Sequence, residues 1–379
     1  MAFEYYIRSG QKMLRCGYTT GTCAALAAAG AARLLLTGAA PETVELTTPK
    51  GLVVAVPLLE AGRDGRTARA AVQKDAGDDA DVTDGLLIWA EVSPLEGEGI
   101  SIDGGPGVGR VTKPGLDQPV GAAAINHVPR QMIRQMVEAE CTRAGYRGGL
   151  SVVISAPGGE SLARRTFNPM LGVVGGISIL GTSGIVEPMS EQAIVDTIAV
   201  EQRQAAASGA RHIILTPGNY GEDFLRQGQW DFRGIPCVKC SNFIGDALDI
   251  AAAQGFESVL LISHIGKLVK VAGGVMNTHS KWADCRMEIF CAHAALQGAG
   301  TDVCRALMDA ATTDAAIAIL DQAGLRQTVL KSLLRAVQHH LSRRAGEAFQ
   351  IGAIAFSNEY GLLGQTETVE EILRQWKKS

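Results

Sequence analysis

The chain has 379 residues and a mass of 39.8 kDa; 46% of the residues are hydrophobic, 20% are charged, and the mean hydropathy is +0.11. This apolar content excludes a disordered chain, and at ~100–200 residues per domain the length points to two domains. Lys+Arg 35 against Asp+Glu 39 gives a net charge of −4, which argues against a nucleic-acid-binding protein.

The first ten residues carry Glu4, Arg8 and a Tyr pair where a secretory signal would have an apolar core, so none is expected. The apolar run 22–36 contains Arg33 and is too short to span a bilayer. Eight cysteines are too sparse for a disulfide scaffold. A cytoplasmic protein with reduced thiols, no membrane partner and no nucleic-acid partner is expected. A homo-oligomer is compatible with the sequence.

Along the chain, the opening reads as a loop leading to a helix over 24–36, with Thr19, Thr20 and Thr22 as capping hydroxyls and Gly38 as the stop. Short β-like runs follow at 43–48, 52–59, 68–73, 86–92 and 99–102, and a helix over 130–144 closes the segment. This order predicts an α+β domain with a mostly antiparallel sheet over residues 1–147. Beyond Gly145, strands at 150–155, 212–215, 235–238, 258–262 and 350–355 alternate with helices at 191–207, 243–254, 281–297 and 327–340. That alternation predicts a Rossmann-like α/β domain with a mostly parallel sheet over 148–379.

Parallel α/β sheets bind ligands beyond the carboxyl ends of their strands. The expected strand ends here are polar and small: Pro157-Gly158-Gly159-Glu160, Thr216-Pro217-Gly218-Asn219, Lys239-Cys240-Ser241-Asn242, Ser263-His264-Ile265-Gly266-Lys267 and Ser357-Asn358-Glu359. Turn chemistry explains the Gly, Pro and Asn, but not the His, Lys and Glu. The densest polar segment, 264–288, holds His264, Lys267, Lys270, His279, Lys281, Asp284, Arg286 and Glu288, a set suited to an anionic ligand.

The remaining motifs carry less. The glycine-rich run 104–109 could present N–H groups to an anion, while 176–183 has P-loop glycine spacing with Thr182 where the lysine belongs. Cys237-Val238-Lys239-Cys240 lacks a second ligand pair, so buried thiols are expected and no metal. The acidic loop Asp75, Asp78, Asp79, Asp81, Asp84 fails the EF-hand template at Gly77. No G-x-S-x-G or H-E-x-x-H occurs.

A series of motifs in order along nearly the whole chain resembles a known family. It consists of Arg15-Cys16-Gly17-Tyr18-Thr19-Thr20-Gly21-Thr22-Cys23-Ala24, Lys74-Asp75-Ala76-Gly77-Asp78-Asp79, Asp103-Gly104-Gly105-Pro106-Gly107-Val108-Gly109, Asn168-Pro169-Met170-Leu171-Gly172, Gly176-Ile177-Ser178-Ile179-Leu180-Gly181-Thr182-Ser183-Gly184, Ser241-Asn242-Phe243-Ile244-Gly245 and His264-Ile265-Gly266-Lys267. Together these resemble the cobalt-precorrin-5B C(1)-methyltransferase family of anaerobic cobalamin biosynthesis. The chain departs from that pattern at His127, where Pro is usual.

The resemblance implies methyl transfer from S-adenosylmethionine to ring carbon C1 of a cobalt-containing tetrapyrrole, giving cobalt-precorrin-6A. The residues fit: a substrate bearing several carboxylates asks for Lys and Arg, and an activated sulfonium needs no covalent nucleophile. The donor is expected near Gly158, Gly159, Thr216, Gly218 and Asn219, and the macrocycle near Arg110, Lys113, Lys267, Lys270 and Arg286. His264 is the first choice for a proton-handling or orienting group, and Asp284 the second. Two other readings stay open: a small-molecule kinase using 104–109 as its phosphate loop, and a non-catalytic corrinoid-binding protein.

Overall fold

A computed structural model describes residues 3–218, 224, 232 and 234–377. Contacts divide the chain into two compact units, Met1–Ser190 and Glu191–Ser379. The expected boundary at 147/148 is therefore corrected.

In the first unit, β1 (Tyr6–Ser9) and β2 (Lys12–Arg15) form an antiparallel hairpin where a loop was expected. Their four-residue length leaves too little alternation to read. After β3 (Gly17–Tyr18) comes α1 (Thr20–Thr37), the buried central helix. Its N-cap Thr19 accepts the Thr22 N–H, and Gly38 ends it in the left-handed conformation at φ 80°. Small side chains from Ala24 to Ala32 let the sheet and a second helix approach closely, and a Cβ on Gly30 would press on Leu58 at 2.5 Å. By length and composition α1 could also cross a membrane, but most of it is core here, and its Arg33 is held by Glu140 at 2.6 Å.

A hairpin of β4 (Thr43–Thr47) and β5 (Val53–Pro57) alternates exposed and buried side chains. Next along the chain are β6 (Glu60–Asp64), β7 (Thr67–Gln73), β8 (Leu87–Leu95), β9 (Ile100–Gly104), β10 (Gly107–Val108), β11 (Arg110–Val111), α2 (His127–Ala144) and β12 (Gly149–Ser155). The unit ends with α3 (Gly159–Ala163), β13 (Val173–Val174), β14 (Gly176–Ile177) and β15 (Ile185–Val186). The principal sheet has the order β6-β7-β8-β12-β9. β12 runs antiparallel to β8 and parallel to β9, so it is interior to this sheet and not the first strand of the parallel one. Its apolar run reads alike in either sheet, and only pairing partners assign it. At the start of α2, the His127 N–H donates to Asp117 Oδ1 at 2.7 Å, a bond proline could not make.

The second unit contains α4 (Glu191–Ala207), β16 (His212–Thr216), β17 (Cys237–Lys239), α5 (Ile244–Gln254), β18 (Ser258–His264), α6 (Ile265–Ala272), α7 (Arg286–Leu296), α8 (Thr301–Met308), α9 (Thr313–Gln322), α10 (Arg326–Ala345), β19 (Gln350–Ser357), β20 (Gly361–Gln365) and α11 (Val369–Trp376). Its sheet has the order β17-β16-β18-β19-β20, with parallel pairs as far as β19 and an antiparallel edge at β20. Side chains alternate between two apolar layers: Ile213, Leu215, Val259 and Leu261 face one, and Ile214, Leu260 and Ile262 face the other.

One helix expectation shifts. The helix expected over 281–297 begins at Arg286, because 277–284 is drawn onto other loops. The short helices α6, α8, α9 and α11 were not anticipated.

Candidate functional site

The strand order of the second unit fixes where its crevice lies. From β16 the chain passes to β17 on one side, then crosses to β18 on the other. In open parallel sheets such a reversal marks the ligand-binding crevice beyond the carboxyl ends of the two diverging strands, which here are β16 and β18. Gly218 after β16, Ser241 after β17 and Lys267 after β18 come together there.

After β16, the fully buried Thr216 turns its carbonyl to accept both the Gly218 N–H at 3.0 Å and the Cys240 N–H at 2.9 Å. Gly218 sits at φ 109°, a conformation side-chain-bearing residues avoid. Among the described residues, the one atom that a Cβ there would meet is Lys267 Nζ, at 3.9 Å. Asn219 lies outside the described residues.

After β17, Ser241 adopts φ 51°, one of two non-glycine residues with positive φ among the described residues. Its carbonyl accepts from Lys267 Nζ at 3.2 Å. Asn242 holds the 277–284 loop through Thr278: the Thr278 N–H donates to the Asn242 carbonyl at 2.9 Å. Ser241 was not singled out as a site residue, since nothing in a Ser-Asn dipeptide announces a left-handed backbone.

After β18, His264 caps α6, its Nδ1 accepting the Gly266 N–H at 3.0 Å. The neutral imidazole therefore carries its proton on Nε2. Burial lowers the His264 pKa, only partly opposed by the carboxylate of Asp314. At neutral pH the ring is an uncharged hydrogen-bond donor at Nε2, which suits orientation better than proton abstraction. Beside it, Ser357 at the end of β19 donates to Asp314 Oδ1 at 2.6 Å.

The residues expected to form one donor site fall into two groups. Gly218 borders the crevice with Thr216 buried beneath it, whereas Gly158 and Gly159 belong to the first unit. Gly158 is the N-cap of the five-residue α3, and a Cβ on Gly159 would overlap the Gly107 carbonyl. The shared strand edge expected for all four is corrected, because β12 joins the other sheet.

The expected macrocycle-binding cations also divide. Arg110 grips Asp103 at 2.7 and 3.1 Å, and Lys113 donates to the Met170 carbonyl at 3.1 Å; both belong to the first unit. In the second unit Arg286 is paired with Asp284 at 2.7 and 2.8 Å, which holds the Asp284 carboxyl below its usual range. Asp284 is therefore an ionised partner, poorly suited to proton transfer. Lys270 is 3% exposed and donates to the Thr278 and Ala283 carbonyls at 3.1 and 2.8 Å. Its ammonium is thus satisfied within the protein, where it staples the 277–284 loop.

The glycine-rich run 104–109 is not a phosphate cradle. A Cβ on Gly107 would overlap the Ala156 carbonyl, and one on Gly109 would come 2.8 Å from the Gly176 carbonyl. These glycines let chain segments cross. Cys240 is fully buried and its thiol is pushed up to about 12 by burial. Among the described residues no group of three or more His, Cys, Asp or Glu is arranged to hold a metal.

Comparison with known proteins agrees with the motif series. The CbiD family model matches residues 7–188, and the model of the CbiD C-terminal domain matches 277–367. The chain is 45% identical to the cobalt-precorrin-5B C(1)-methyltransferase of Ruminiclostridium cellulolyticum, over 99% of each chain. It is 42% identical to the protein of that name from Alkaliphilus metalliredigens, over 98% of this chain and 97% of the relative. The crystal structure of the cobalamin biosynthesis protein (cbiD) from Archaeoglobus fulgidus shares 29% identity, covering 73% of this chain and 86% of that one with a TM-score of 0.39. Matched by both family models and by relatives along its full length, the chain belongs to the CbiD, or cobalt-precorrin-5B C(1)-methyltransferase, family.

Proposed function

We propose that the chain transfers the methyl group of S-adenosylmethionine to ring carbon C1 of cobalt-precorrin-5B, giving cobalt-precorrin-6A. Full-length identity to relatives bearing that name carries the reading. The cobalt belongs to the substrate.

The crevice of the second unit, a Rossmann-like arrangement in this reading, suits the donor. Gly218 offers backbone without a side chain, and Lys267 brings a positive charge beside it. The donor, when bound, supplies a methyl group already activated on sulfonium sulfur. What remains for the protein is alignment and exclusion of water. Thr216 and Gly218 shape the floor, and His264 caps the helix that carries Lys267. In the second unit Arg286, by exchanging Asp284 for a carboxylate of the macrocycle, can hold the substrate.

The test is turnover with methyl-labelled S-adenosylmethionine and cobalt-precorrin-5B, read by mass spectrometry. One labelled methyl per product, located at C1, is expected. Substrate binding without transfer would instead make the chain a corrinoid-binding protein.

A further inference from the structure

Lys267 stands where its sequence position gave no reason to place it. It lies in the first turn of α6, after β18, yet its ammonium donates to the carbonyl of Ser241, after β17. Because β16 lies between those two strands, the side chain crosses over the carboxyl end of β16. Its Nζ comes within 3.9 Å of where a Cβ on Gly218 would be. The charge hangs over the crevice floor.

That placement is costly without an anion. Burial lowers the ammonium's pKa. Among the described residues its one hydrogen-bond partner is the Ser241 carbonyl, and no carboxylate lies within ion-pair distance. Half-buried charges are ordinarily paired, since lost hydration must be replaced. The neighbouring lysine on the same helix, Lys270, is satisfied by two carbonyls. Ser241 is held at φ 51° with its carbonyl on Lys267, a strained backbone spent on positioning this one charge.

We propose that Lys267 binds the α-carboxylate of the methyl donor's amino-acid arm, fixing the donor over Gly218. This rests on the donor-site reading given above. A slender amino-acid arm can reach a half-buried ammonium at the floor of a crevice. The carboxylates of a broad macrocycle are better met by a less buried cation such as Arg286. Lys267 is thus assigned to the donor and not, as its sequence context suggested, to the tetrapyrrole.

The experiment compares two ligands on the full chain by calorimetry: S-adenosylhomocysteine, and 5′-methylthioadenosine, which lacks the amino-acid arm. The parent is expected to prefer S-adenosylhomocysteine. Charge-assisted hydrogen bonds contribute ~1.5–3 kcal/mol, so Lys267→Met should weaken S-adenosylhomocysteine by roughly ten- to hundredfold. Its affinity for 5′-methylthioadenosine should be unchanged, which also shows that the variant is folded. Lys267→Arg should recover part of the preference. In turnover the donor KM should rise while the tetrapyrrole KM stays at the parent value. A preference retained in Lys267→Met, or an equal loss for both ligands, overturns the assignment. If Gly218→Val meanwhile abolishes S-adenosylhomocysteine binding, the donor site stands and only the role of Lys267 falls. A parent that binds neither ligand refutes the donor site and this inference with it.

Discussion

Replacing Lys270 with Met separates a structural lysine from a substrate ligand. The ammonium is almost fully buried, donates to the Thr278 and Ala283 carbonyls at 3.1 and 2.8 Å, and stands 4.0 Å from Asp284 Oδ1. Methionine keeps the length of the stem, so the cavity is small and the loss is that of two hydrogen bonds from a charged donor. At ~1.5–3 kcal/mol each, and with some rehydration of the freed carbonyls, about 3 kcal/mol should be lost. For a unit of this size, ~2–4 °C per kcal/mol corresponds to a fall of roughly 6–12 °C in the melting temperature of the second unit. Differential scanning calorimetry reads this directly. Steady-state kinetics well below the transition should give a parent-like tetrapyrrole KM. A parent-like melting temperature with a tetrapyrrole KM raised tenfold would show instead that Lys270 meets substrate.

Three further outcomes follow from the geometry. Gly107→Ala should unfold the first unit or leave it insoluble, because its Cβ would overlap the Ala156 carbonyl at φ 78°, whereas Gly62→Ala, whose Cβ meets nothing nearer than 3.9 Å, should be tolerated; a soluble Gly107→Ala protein with parent-like circular dichroism would contradict the backbone crossing. Burial lowers the pKa values of His212, His264, His293 and His340, so their neutral forms favour the fold fully above the unfolded value of about 6.5, and this contribution is lost as pH falls through the lower folded values. The urea midpoint should accordingly fall as the pH drops below about 6.5, and a flat profile there would be inconsistent with these shifts. Cys240, fully buried and with its thiol pushed up to about 12, should resist iodoacetamide in the native protein and react in urea, as followed by mass spectrometry; rapid native labelling would mean that the β17 end is open.

Much of this protein is written locally in its sequence. The Thr19 cap, the Ala-rich run and Gly38 define α1 to within a few residues, because capping and helix propensity act over one or two turns. The same holds for the α4 span, the parallel strands of the second unit and the motif series that marks the family. The domain boundary was not local: 149–155 reads as a buried strand in either sheet, and only its register against β8 and β9 assigns it to the first unit. For the same reason Gly158 and Gly159 parted from Thr216 and Gly218. Charge was equally ambiguous. Lys267 and Lys270 lie three residues apart on one helix, and residue type alone gives both the same role. Tertiary structure turns one inward onto two carbonyls and carries the other across β16 to Ser241. A side chain's partner depends on which distant backbone the strand order brings beside it, and no short-range rule contains that order.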